Sequence, residues 1–214
     1  MLDPHQAPPT SRLDDDDDDD HDEGAGKKGK KSNRLEERLL DARTLIIADE
    51  VSDVLYRRVA TMLTLLERKD RKAPITAFVN SPGGSADSGF AIYDLFRFSP
   101  CPITTVANGV VASAAVLIYL GAPQGRRVSL PNARFLLHQP STATRGQASD
   151  IDITAREISK LRHRYNEVVA EATGKQVAAV EKDSDRDFWL SAQEAVAYKL
   201  VNRVLTSRAQ LEEL

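Results

Sequence analysis

Few residues of this 214-residue chain are equipped for chemistry, and they lie far apart in it. Ser113 sits in Gly109-Val-Val-Ala-Ser113-Ala-Ala115, a hydroxyl among small residues at the head of an apolar run. A serine there is either a nucleophile presented on a turn or an N-cap serving the first helical N–H groups. His138 follows Phe135-Leu-Leu137 and precedes Gln139-Pro140, which puts it at a strand end. His5 and His21 lie in a charged N-terminal segment, and His163 sits among Lys160, Arg162 and Arg164. A histidine general base is therefore His138, although a structural imidazole would read the same. Asp183, Asp185 and Asp187 punctuate a polar stretch before Phe188-Trp-Leu190. One of them can orient an imidazole, or all three can face water. Gly83-Gly84 falls between a strand-like run and a helix-like one. The pair is either a plain tight turn or a nest of backbone N–H groups aimed at an oxyanion or phosphate. No P-loop or dinucleotide fingerprint accompanies it. In chain order the set reads as an oxyanion nest, a nucleophile, a base and an orienting acid.

Those residues need a scaffold, and the chain predicts one of alternating strands and helices. Asn33 with Glu36 forms a capping-box signature for a short helix to about Asp41. Thr44–Ala48 reads as a strand. Ser52 caps a helix with Leu55, Val59, Met62, Leu63 and Leu66 at helical spacing. Ile75–Val79 is the next strand, followed by a helix to Phe98 with Phe90, Ala91, Leu95 and Phe98 on one side. Ile103–Ala107 is a third strand, and a buried helix begins near Ser113. Arg127–Leu130 and Arg134–Leu137 are two more strands, expected to depart from parallel pairing around Pro131-Asn132. A long helix spans about Ala148–Thr173 and stops at Gly174. Ser191 and Glu194 mark a second capping box, and Leu200–Leu205 closes as a strand. Such alternation predicts an α/β domain with largely parallel pairing.

Composition narrows the function classes. Residues 1–34 hold 10 acids against 6 bases, and all 12 aromatics of the chain lie beyond them. The Asp14–Asp20 run and the lysines after it are two like-charge blocks, each self-repelling and extended, which predicts a disordered tail over 1–32, a domain over 33–207 and a short C-terminal tail over 208–214. The remainder of the chain carries 22 acids and 23 bases, so nucleic acid is not an expected partner. Cys101 is the sole cysteine, which leaves no intrachain disulfide and no cysteine-based zinc site. The opening Met-Leu-Asp-Pro is not a secretory signal, and the apolar stretch Val110–Ala122 is too short to span a bilayer. The expectation is a reduced, cytoplasmic protein with no membrane segment.

Seven separated motifs give a more specific resemblance. Asn80-Ser-Pro-Gly-Gly84, Gly109-x-x-Ala-Ser113, Leu130-Pro-Asn-x-Arg134, His138-Gln-Pro140, Gly146-Gln-Ala148, Ala155-Arg-Glu-Ile158 and Asp185-Arg-Asp187 resemble, in order, the proteolytic subunits of the Clp protease family. The resemblance covers residues 36–206. It implies a crotonase-like α/β superhelix of strand-strand-helix units with a protruding handle helix. It also implies a serine endopeptidase with Ser113 as nucleophile, His138 as base and Asp187 as orienting acid. Gly84 and Ala114 match the backbone donors of the oxyanion hole. Gly83, Ser85, Ala86, Gln139, Pro140 and Ser141 match the lining of the peptide channel. No metal or organic cofactor is implied. The implied partners are further copies in two stacked seven-membered rings, an AAA+ unfoldase ATPase, and unfolded polypeptide as substrate. Two departures stand out. Ala114-Ala115 replaces the usual Met-Gly after the nucleophile. Among positions matching the ATPase-docking pocket, Phe78, Phe98 and Leu205 are apolar, but Thr76 replaces an aromatic. A crotonase-fold acyl-CoA hydratase or hydrolase and a catalytically silent ring subunit are the alternatives.

Overall fold

The computed structural model describes residues 36–140 and 145–214. The Asn33 cap, the acidic run and Ser141 lie outside the described residues. Residues 36–41 are helical (α1), and a compact unit starts within them at Leu39 and runs to Leu214. Its elements follow the expected alternation: β1 Thr44–Ile47, α2 Asp53–Lys69, β2 Ile75–Ser81, α3 Ala86–Phe98, β3 Ile103–Ala112 and α4 Ala114–Leu120. Then come β4 Arg127–Ser129, β5 Arg134–Leu137, α5 Ala148–Thr173, α6 Val177–Asp183, β6 Phe188–Ser191, α7 Ala192–Ala197, β7 Arg203–Val204 and α8 Ala209–Glu212. The strands form one sheet in the order β1-β2-β3-β4-β7, with β5 pairing β3 and β6. Every pairing is parallel except β5 with β6.

The local signals act as their chemistry dictates. Ser52 Oγ accepts the Leu55 N–H at the head of α2, and the five predicted apolar residues of that helix are all buried. Gly174 ends α5 at φ 70°, donating its N–H to the Ala170 carbonyl. At α7 the Ser191 and Glu194 side chains each satisfy the other's backbone N–H, a complete capping box. All seven residues of α4 are buried, so this helix is the centre of the core. Each of its larger aliphatic side chains contributes about 1.5–3 kcal/mol relative to exposure.

The structure corrects four details. The strands flanking Pro131-Asn132 do not pair with each other. β4 lies beside Thr105–Ala107 and β5 beside Val110–Ala112, both parallel to β3. The Pro-Asn turn therefore interrupts a path that continues in one direction. β3 itself is longer than Ile103–Ala107, because Gly109 at φ 120° allows the Asn80 side chain to accept the Val110 N–H and the strand resumes beyond it. On α3 the buried face is Ser88, Gly89, Phe90, Ile92 and Phe96, whereas Phe98 is 88% exposed. Small residues govern that face. A Cβ on Gly89 would stand 3.0 Å from the Ala114 carbonyl, so glycine lets α3 approach α4 closely. The final strand shortens from Leu200–Leu205 to Arg203–Val204. On the outer side of the sheet Phe78, Val106 and Val128 stand in register, and with Leu205, Leu211 and Leu214 they form a second apolar cluster.

Candidate active site

Ser113 is the single residue between β3 and α4. The end of β3 is held by pairing to β2 on one side and β5 on the other, and α4 is locked in the core. The chain must reverse in one step, and Ser113 does so at φ 56°, ψ −125°. For a residue with a Cβ such a conformation costs about 1–3 kcal/mol and persists only where its surroundings impose it. Its N–H donates to the Leu136 carbonyl at 2.9 Å, which ties the turn to the strand leading to His138. The hydroxyl makes no capping bond. The N-cap role that the sequence left open is therefore not the one this side chain performs.

Gly83 and Gly84 lie against this turn. A Cβ on Gly83, at φ 93°, would stand 2.6 Å from both Ser113 Cβ and the Ala112 carbonyl. Gly84 adopts φ 142° and bridges Val51. Val51 donates to the Gly83 carbonyl at 2.8 Å, and Ser85 donates to the Val51 carbonyl at 2.7 Å. That pattern leaves Gly84's own N–H and C=O on the edge away from Val51. The Ala114 N–H, first in α4, has no carbonyl one turn back to bond.

The candidate base and acid come from the other side. β5 delivers His138, whose Nδ1 is 3.5 Å from Asp187 Oδ1. Their side chains are 28% and 66% exposed. That separation exceeds a formed N–H···O bond, and no hydrogen bond links Ser113 to His138 among the described residues. The three aspartates go to three partners. Asp183 accepts the Tyr198 hydroxyl at 2.8 Å, Asp185 meets Arg162 at 3.3 Å, and only Asp187 faces the imidazole. The polar segment holding them is partly helical, since α6 carries it as far as Asp183.

One cleft of about 440 Å³ brings these pieces together, with Gly84, Ser85, Ala86, Ser113, Ala114, His138 and Pro140 in its wall. Gly83 instead packs beneath the serine. Gln139 is engaged elsewhere, its N–H on the Ser184 carbonyl at 3.0 Å and its amide on the Asp185 carbonyl at 2.9 Å. Ser141 lies outside the described residues. Ile158, Leu161 and Tyr165 of α5 close the far wall, a contribution the sequence reading did not assign. The available signal was an apolar stripe at i, i+3 and i+7 on the long helix. A larger hollow of about 480 Å³ between Tyr56 and Phe98 holds no nucleophile beside a base. Among the described residues no cluster of His, Cys, Asp and Glu has the makings of a metal site.

The chain matches known proteins over most of its length. The family model described as Clp protease matches residues 27–208. A Gluconobacter oxydans protein, ATP-dependent Clp protease proteolytic subunit 2, is 45% identical over 94% of this chain and 93% of its own length. Proteolytic subunit 3 of Rhizobium meliloti is 47% identical over 82% of this chain and 90% of its own. Among solved structures, a mutant ClpP1 of Listeria monocytogenes matches with a TM-score of 0.77 and 41% identity, covering 83% of this chain and 99% of that one.

Proposed function

The chain belongs to the Clp protease family of proteolytic subunits, and from that premise we propose that Ser113, His138 and Asp187 are its catalytic triad. The protein is a serine peptidase with the crotonase-like α/β fold of that family. Neither the acyl-CoA alternative nor the silent subunit finds support among relatives that are themselves proteolytic subunits.

The observation that carries the triad reading is the strained Ser113 turn, which leaves an uncapped hydroxyl in the same cleft as His138 and Gly84. With Nδ1 facing Asp187, the imidazole keeps Nε2 for the serine proton. As Ser113 Oγ attacks a peptide carbonyl, that proton passes to Nε2 and then to the leaving amine. Asp187 holds the tautomer and stabilises the imidazolium. The Gly84 and Ala114 N–H groups receive the developing oxyanion, and losing one such donor costs about 10²–10³ in rate. Replacing the family's usual methionine by Ala114 keeps this donor, because the backbone supplies it. The substrate lies as an added strand along the free edge of Gly84.

The family assembles as an oligomer and works with a Clp ATPase. For this chain we propose two stacked seven-membered rings, homo-oligomeric, in the cytoplasm, with an AAA+ unfoldase feeding unfolded polypeptide. The buried, unpaired Cys101 suits a reducing compartment. No helix among the described residues is long and apolar enough to cross a membrane. The candidate docking residues are the apolar Phe78–Val106–Val128 row and the exposed Phe98. Thr76, two residues before Phe78 on the same face, makes the edge of that row more polar. Neither a cofactor nor nucleic acid enters the reaction. Hydrolysis of a short fluorogenic peptide tests the triad. Ser113→Ala abolishes it with the particle intact, and Asp187→Asn lowers it by about 10⁴ through the wrong tautomer. Wild-type rates in either variant would refute the assignment.

A further inference from the structure

Asn166 and Ser184 are buried polar residues with no part in the chemistry above. They are 1% and 0% exposed, and Ser184 Oγ donates to Asn166 Oδ1 at 3.1 Å. Asn166 Nδ2 has no partner. Rotating the amide would exchange donor and acceptor without removing the bond. The neighbours of Asn166 on this face of α5, Tyr165, Val169, Ala170 and Thr173, are buried too. An apolar pair would fill such a place at lower cost, since a buried amide N–H without a partner is unfavourable.

The position of the pair is informative. Ser184 ends α6, its N–H on the Val180 carbonyl at 2.9 Å, and the chain then leaves as Asp185-Arg186-Asp187. That loop is exposed. Its anchored start is Ser184, whose carbonyl also receives the N–H of Gln139, the residue after His138. Gln139 returns a second bond to the Asp185 carbonyl. The residue before Asn166 on α5, Tyr165, has its hydroxyl 3.5 Å from the Ser113 carbonyl. One turn of α5 thus touches the nucleophile turn and the root of the acid loop.

We propose that the Asn166–Ser184 bond is a positioning element, fixing the root of the acid loop against α5 and so setting the Asp187–His138 separation. This rests on the triad reading. Without the bond the end of α6 slides on α5, carrying Asp187 relative to an imidazole it already meets at 3.5 Å. Displacing the carboxylate acts on kcat, because orientation at the reacting centre is lost while the cleft wall of Gly84, Ser85 and Ala86 stays in place.

The test measures kcat and KM for a fluorogenic peptide on assembled particles of full-length protein, with thermal midpoints alongside. Ser184→Ala lowers kcat by about tenfold with KM held within about twofold, and Ser184→Thr restores it. Asn166→Leu keeps volume, removes the same bond from the other side and gives the same loss. The discriminating step repeats Ser184→Ala in an Asp187→Asn background. If Ser184 acts through the carboxylate, the further loss there is less than about twofold. A wild-type kcat in both Ser184→Ala and Asn166→Leu overturns the proposal. So does an undiminished tenfold loss on top of an impaired Asp187→Asn, which would mark the pair as merely structural. Full activity of Asp187→Asn alone removes the triad reading itself.

Discussion

The two halves of the proposed triad are built differently. The nucleophile half is made of backbone and core. Ser113 is caught between a strand paired on both sides and a wholly buried helix, with Gly83 packed beneath it. The acid half is a short exposed loop between α6 and β6, held at its root by Gln139 and by polar side-chain contacts. Asp187 is two-thirds exposed, Asp185 leans on Arg162, and α6 meets α5 through His163. The first half cannot move without disturbing the core, while the second moves at the cost of a few polar contacts. If the proposed triad acts, activity is expected to respond first to changes on the acid side, with the nucleophile side as a fixed reference.

The largest effect expected of that contrast comes from filling the space under the nucleophile. Gly83→Ala forces a Cβ into two contacts of 2.6 Å at a φ of 93°. It should destabilise the fold by about 3 kcal/mol, a drop of about 10 °C in thermal midpoint, and remove peptidase activity as well. An unchanged midpoint would show the turn to be softer than its geometry implies. Arg186→Ala probes the other half. Arg186 is exposed between two aspartates and has no partner among the described residues, which suits a contact to the opposite ring. Peptidase rate should fall by about tenfold and sedimentation should shift toward smaller particles, with the subunit fold intact. Retention of both particle mass and rate would disconnect this loop from assembly.

The smallest effect is one of pH. His163 bridges Glu181 on α6 and Glu167 on α5 at 3.1 and 3.3 Å. The hydrogen bond to Glu181, then the Glu167 charge, raise its pKa above the ordinary 6.5. A raised folded-state value means that the bridge stabilises fully below 6.5 and is lost as pH rises through the raised value. The wild-type midpoint should decline relative to His163→Gln over that window, and only slightly, because the group is exposed. Parallel curves for the two proteins would detach His163 from the α5–α6 contact.

Much of this division was legible in the sequence, for physical reasons. Caps at Ser52 and Ser191, the Gly174 stop and the periodicity of α2 are local codes, and local hydrogen bonds carry them out. Seven short motifs in order identified the family. What failed to show was non-local. The three aspartates look alike until Tyr198, Arg162 and His138 each take one. The Pro131-Asn132 turn looks like a reversal until β3 offers pairing to both flanking strands. Gly109 looks like an end to β3 until the Asn80 amide carries the strand past it. The buried face of α3 departs from the hydrophobic pattern because Ser88 and Gly89 are buried for their smallness, which that pattern does not register. Asn166 and Ser184 carry no signal in the sequence, since a polar residue in a polar segment looks ordinary until its burial is known.

The central claim is that Ser113 is the nucleophile, held ready by its turn and activated by His138. Covalent labelling of the purified protein with a fluorophosphonate, followed by peptide mapping, tests it most directly. The account predicts a single modified serine, Ser113, with labelling lost in His138→Ala. Modification of another serine, or equal labelling of Ser113 when His138 is gone, would contradict it.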